Sequence, residues 1–176
     1  MKSRVVYRGR SIVVCVDEVT LPNGHRVELD VVRHPGAAAV VPFVSPREVL
    51  LLRQFRHAAG GVIWEVPAGK LDGDAPEVCA RKELEEEAGR RAGRLEKLGS
   101  ILTTPGFSDE VIHLFAAFDL EEVPHRREID EVMEVVCVPL ARALDMVERG
   151  ELRDAKSALA LLHAARRVGV LARLPG

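Results

Sequence analysis

The sequence predicts an α+β domain, an α/β/α sandwich whose mixed central sheet is preceded by extra N-terminal antiparallel strands. Three observations predict it: short β-branched runs separated by tight-turn signals, one amphipathic helix set among strand-like segments, and two helical segments that close the chain. With 176 residues, 47% of them hydrophobic, the chain is long enough to bury one core. It is therefore read as a single domain, 1–176, with 1–35 as an N-terminal strand arm.

In order, strands are expected near Val5, over Ile12 to Val19 and over Val27 to Arg33, with Pro22-Asn23-Gly24 as the hairpin turn because Asn-Gly accepts positive φ. "AAAVVPFV" and "EVLLLRQFRH" are apolar enough for buried strands, and Ser45-Pro46-Arg47 turns between them. After "VIWEVPAG" the period becomes helical: Pro76 suits a first turn, Ala80, Leu84 and Ala88 form an i, i+4 stripe, and Gly89 stops the helix. Strands resume at Leu98 to Leu102, Val111 to Phe118 and Val132 to Val138. Helices follow at Pro139 to Arg149, ended by Gly150, and at Asp154 to Val168.

A formal net charge of −2 gives no global attraction to nucleic acid or to an anionic membrane, so neither is expected as a partner. Cys15, Cys79 and Cys137 are odd in number and lack metal-ligand spacing, and read as small core residues of a reduced intracellular protein. The start "MKSRVVYRGRSIVV" lacks a signal-peptide pattern and no run approaches a membrane span, so a soluble, cytoplasmic protein is expected.

The unusual feature is the acidic helix. Glu83, Glu86 and Glu87 stand at i, i+3 and i+4, which puts three like charges on one side beside the apolar stripe. A divalent cation bound by oxygen ligands reverses the sign of that repulsion, and Mg²⁺ suits such carboxylates together with water and substrate phosphate. The alternative is a solvated face on which Arg81 and Lys82 pair with the acids. The Gly-rich loop "PAGKLDGD" leading into the helix favours a ligand, because small residues let backbone approach it.

Loop and helix together resemble the Nudix box, the signature of hydrolases acting on a nucleoside diphosphate linked to another group. Gly69 stands as the first glycine, and Lys82-Glu83-Leu84-Glu85-Glu86-Glu87-Ala88-Gly89 covers the second half. Three departures are visible. One residue is missing near Asp72-Gly73, Asp74 or Glu77 replaces the early Glu, and Lys82 replaces an Arg whose planar fork it lacks. Arg81 points about 100° away and is no obvious replacement. The resemblance implies Mg²⁺, with Mn²⁺ as the alternative, held by Glu83, Glu87 and the carbonyl of Ala68. It implies Glu86 as a holder of a second ion or of water on the metal, and leaves Glu85 as a solvated residue.

Pro105 lies sixteen residues after Gly89, a spacing that resembles the ADP-ribose pyrophosphatase subgroup; otherwise it marks an ordinary Pro-Gly turn. "LLRQFRH", "WEVPAGK", "TTPGFSDE" and "GELRDAKSALALL" extend that resemblance. The implied substrate is ADP-ribose or a related nucleoside diphosphate sugar, with flavin dinucleotide, GDP-mannose or another nucleotide, or a non-catalytic sensing module, as alternatives. Arg53 and Arg56 either meet phosphate through paired hydrogen bonds or pair with acids. Glu65 precedes the loop and either faces substrate or is solvated. Attack by water needs a carboxylate to take its proton, and Glu110 is a candidate for orienting that water. The resemblance implies a base from the acidic loop before the last strand, which offers Glu128, Asp130 and Glu131, with Glu131 favoured and Glu110 as the alternative. No Ser or Cys stands beside a plausible His base, so a covalent intermediate is not expected. Trp64 reads as a core aromatic, and His57, His113 and His163 as surface or packing residues. The resemblance also implies a homodimer that exchanges its N-terminal strands; the alternative is a local extension of the sheet.

Overall fold

A computed structural model describes residues 2–10, 12–125 and 132–171. The chain runs β1 (Lys2–Arg8), β2 (Val13–Thr20), β3 (Arg26–Arg33), β4 (Ala37–Ser45), β5 (Glu48–Arg56), β6 (Gly61–Glu65), β7 (Ala68–Lys70) and α1 (Pro76–Ala88). It continues with β8 (Arg90–Leu102), β9 (Val111–Glu122), β10 (Met133–Pro139), α2 (Leu140–Glu148) and α3 (Ala155–Arg167). A 3₁₀ turn at His57–Ala59 joins β5 to β6.

Strands β1, β2 and β3 form a separate antiparallel sheet, whereas the central sheet has the order β10-β5-β4-β9-β8 with β6 added on β5 and β7 on β4. Its β4–β9 pair is parallel and the other pairs are antiparallel, so the sheet is mixed as expected. Alternation along β4 sorts the core into two layers. Ala37, Ala39, Val41 and Phe43 pack with Leu140, Ala143, Met146, Ala160 and Leu161 of α2 and α3, while Ala38 and Val40 pack with Cys79, Ala80, Leu84 and Ala88 of α1. A sheet covered on both faces explains why the runs "AAAVV" and "VLLL" are apolar without alternation.

β8 begins at Arg90, well before Leu98, and β9 runs on to Glu122. The segment 90–97 is charged, "RRAGRLEK", because among the described strands only β9 flanks it and much of its surface is exposed; an apolar pattern was not available to mark it. The N-terminal sheet meets the rest of the chain through Val32, whose N–H donates to Phe107 O at 2.7 Å, and through Arg33, which pairs with both Asp17 and Asp109. Among the described residues no helix is long and apolar enough to cross a membrane.

Leu84 is fully buried between α1 and the sheet. Leu84→Ala is expected to cost about 2–5 kcal/mol of stability through lost burial and the cavity left behind, read as a lower midpoint in urea unfolding.

Candidate active site

The site is built on the end of α1. Pro76 occupies its first turn and Gly89 closes it at φ 61, where a Cβ would also come within 2.6 Å of the His125 ring. The last turn holds acids and no basic residue, so helix dipole and mutual repulsion both act against the carboxylates there. Glu85 is drawn out of this group by Arg91, whose Nε donates to it at 2.8 Å, so it is ion-paired rather than merely solvated. Arg81 donates to the Ala92 carbonyl at 2.7 Å and turns away from the acids. Lys82 is exposed and lines the same cavity as Glu83.

Opposite the acids lies the loop strand β7, fixed by its pairing of Ala68 with Ala39 and of Gly69 with Ala38. The N–H of Ala68 donates to Glu87 at 2.9 Å, and Glu87 is almost fully buried. A Cβ on Gly69 would lie 2.1 Å from the carboxyl carbon of Glu83, so only glycine allows that carboxylate to rest on the backbone. Cys79 seals the contact from below, its Sγ donating to Lys70 O at 3.3 Å. Burial, followed by the nearby Glu83 charge, pushes its thiol up to about 11. The residue missing from the loop is absorbed by a tight turn: Asp72 and Gly73 have φ 45 and 96, and the Asp74 N–H donates to Leu71 O at 2.8 Å.

A cavity of about 1210 Å³ opens over this seat. Ala68, Glu83, Glu86 and Glu87 line it, as do Arg56, Glu110, Gln54 and Lys156. Arg56 is held by Glu65, which accepts from its Nε at 3.0 Å and from its Nη2 at 2.7 Å. Glu65 is itself only 3% exposed and accepts from Lys156 at 3.1 Å. It is thus neither solvated nor facing the cavity, but the anchor of two cations that do. Burial opposes charging of Arg56, and its bonds with Glu65 outweigh that, so its pKa is raised and it stays charged. Asp154 caps α3 by accepting from Ser157 N at 3.0 Å and also holds Lys156 at 2.9 Å.

Glu110 accepts from Thr103 Oγ1 at 2.7 Å and lies 3.2 Å from His34 Nδ1. Pro105 is exposed at the second position of the turn whose Phe107 N–H donates to Thr104 O at 3.0 Å; its neighbours Thr103 and Thr104 line the cavity. Arg53 stands apart from this group: it pairs with Glu134 at 3.2 Å and lies 5.5 Å over the ring of Trp64, which packs against the core. Glu128, Asp130 and Glu131 lie outside the described residues. Sequence reasoning did not single out Lys156, Gln54 or Asp154. The "DAKS" cap signal and the "RQFR" alternation, which sets Gln54 and Arg56 on one side of β5, were the marks available.

The donors suit a hard cation, being carboxylate and carbonyl oxygens with no thiolate or imidazole among them. Among the described residues no group of three or more His, Cys, Asp or Glu side chains is arranged to hold a metal ion, so Glu83, Glu86 and Glu87 share the cavity lining without forming a preassembled metal site.

A family profile described as "NUDIX domain" matches residues 32–161. The chain belongs to the Nudix family. The match spans β4 to α3 and leaves most of the N-terminal sheet outside it. The chain is 42% identical over 161 residues to the ADP-ribose pyrophosphatase of Bacillus subtilis (strain 168), covering 90% of this chain and 87% of that protein. It is 36% identical over 166 residues to the methanol dehydrogenase activator of Bacillus methanolicus, covering 93% and 90%. The solved structure titled "Crystal structure of ADP compounds hydrolase" superimposes with a TM-score of 0.83 over 97% of this chain and 95% of that one; at 22% identity this likeness establishes the fold. The expected Nudix membership, fold and hydrolase class are thereby borne out.

Because Cys15 and Cys79 are buried and Cys137 is exposed, brief alkylation of the native protein near pH 8 is expected to label Cys137 and spare the other two. Labelling of Cys79 should appear only after unfolding, or as pH approaches the raised value of its thiol; peptide mass spectrometry reads both.

Proposed function

We propose that the protein hydrolyses the diphosphate of ADP-ribose or a closely related nucleoside diphosphate sugar, giving AMP and ribose 5-phosphate from ADP-ribose, with Mg²⁺ as the metal and Mn²⁺ as a substitute. The observation that carries this reading is the set of carboxylates Glu83, Glu86 and Glu87 at the C-terminal half of α1, lining one cavity with the cations Arg56 and Lys156. Acids alone repel a diphosphate and cations alone bind it without activating it. A cavity holding both would suit a diphosphate together with a cation held by the carboxylates. The 42% identity to an ADP-ribose pyrophosphatase supports the choice of substrate.

In this reading Glu83, Glu86, Glu87 and the Ala68 carbonyl hold the metal, which supplies electrostatic stabilisation of charge developing on phosphate oxygens. Arg56, fixed by Glu65, binds a phosphate through two N–H groups, and Lys156 adds a point charge from α3. Glu110 takes the proton of the attacking water, its carboxylate oriented by Thr103. Glu128, Asp130 and Glu131 remain candidates for the same task. Two copies pair through the N-terminal sheet, which leaves Val5, Val6, Tyr7 and Leu29 exposed. The proposed compartment is the cytoplasm.

Purified protein with Mg²⁺ is expected to release AMP from ADP-ribose, and a chelator to abolish the release. Glu87→Gln, which removes a charge at nearly constant volume, should lower kcat on the order of 10²-fold or more with the fold retained. Undiminished turnover in that variant overturns the metal assignment. Light scattering should give the mass of two chains, and charged replacements at Val5 and Leu29 should return one.

A further inference from the structure

Among the described residues two buried side-chain atoms have no hydrogen-bond partner, Gln54 Oε1 and His113 Nδ1. Gln54 lines the cavity, whereas His113 does not. Gln54 is 4% exposed in the interior of β5, paired with Met133 on β10 and with Ile63 on β6. It follows the buried Leu50, Leu51 and Leu52, so an apolar side chain of similar volume would fill the position without burying a polar group. An acceptor stripped of water and given no donor destabilises the free protein. A bound molecule that supplies the donor reverses that penalty.

Resting on the proposed hydrolysis of a nucleoside diphosphate sugar, we propose that Gln54 determines specificity by accepting a hydrogen bond from a sugar hydroxyl of the substrate. Phosphate oxygens are acceptors and leave Gln54 Oε1 unsatisfied, and they are already matched by Arg56 and Lys156. Gln54 and Arg56 stand two residues apart on one side of β5, roughly 7 Å along the strand. A phosphate held at Arg56 therefore leaves a sugar attached to it within reach of Gln54. The donors on that unit are its hydroxyls.

The test replaces Gln54 by Met, with Gln54→Leu as a second apolar variant where Met packs poorly. Melting temperature is measured without ligand, and kcat/KM is measured on ADP-ribose and on analogues whose ribose hydroxyls are replaced one at a time by hydrogen. The expected result is a ligand-free melting temperature higher by roughly 2–4 °C. It is joined by a loss of roughly 10- to 100-fold in kcat/KM on ADP-ribose and by collapse of the wild-type preference for one hydroxylated substrate over its deoxy analogue. A lowered melting temperature with kcat/KM unchanged makes Gln54 a structural residue and overturns the proposal, as does a hydroxyl preference that survives in both variants. Inactivity of the wild type toward ADP-ribose and all the analogues overturns the functional reading itself. The two failures are distinguishable because the first leaves wild-type turnover intact.

Discussion

The contact between the Glu83 carboxylate and the bare backbone of Gly69 is the constraint on which the site depends. A methyl group at position 69 would occupy the space of that carboxylate, so the Glu83 carboxylate takes this position against the loop only because the loop has no side chain there. β7 is held in turn by its ladder with β4 and by the Leu71 N–H, which donates to Gly36 O at 3.1 Å. The seat for the acids is thus a backbone surface anchored to the most buried strand of the molecule. Glu87 exploits the same surface through the Ala68 N–H.

The cationic wall is organised differently. Glu65 is buried and bonded to Arg56 from one side and Lys156 from the other, bringing together the ends of β5 and β6 and the first turn of α3. Burying such charges contributes little net stability, since desolvation offsets most of the attraction. What the arrangement does provide is direction: two flexible cationic side chains are held toward one cavity before any ligand arrives. Ser157 ties the same corner to the loop by accepting from Val66 N–H at 2.9 Å while it donates to Asp154.

Local periodicity made most of this fold legible. The buried strands of "AAAVVPFV" and "EVLLLRQ", the Pro76-to-Gly89 helix and the Asn23-Gly24 hairpin are each specified within a short window, and each lies where its pattern placed it. The first half of β8 escaped because an exposed edge needs no apolar alternation. At the site, Glu83, Glu86 and Glu87 declared themselves because their spacing is anomalous without a ligand. Lys156, separated from Glu65 by 91 positions, joins the cavity wall through a tertiary contact that no window contains. Arg53 and Arg56 looked equivalent in sequence, and the pleat alone separates them, turning Arg53 to Trp64 and Arg56 to the cavity.

The parallel pairing of β4 with β9 joins Ala37 to Ile112, residues 75 positions apart, and the acid helix with its glycine loop lies inside that span. Parallel strands need a crossover, and here the crossover carries β5, β6, β7, α1 and β8. A contact of such long range repays its loop-closure entropy only once most of the intervening chain is ordered, and chains rich in such contacts fold slowly. β4 pairs with β5 and β7, and its remaining neighbour in the sheet is β9. The seat for the acids, built by β7 and α1 on β4, is therefore backed on its far side by a strand that the chain reaches only after 75 further positions.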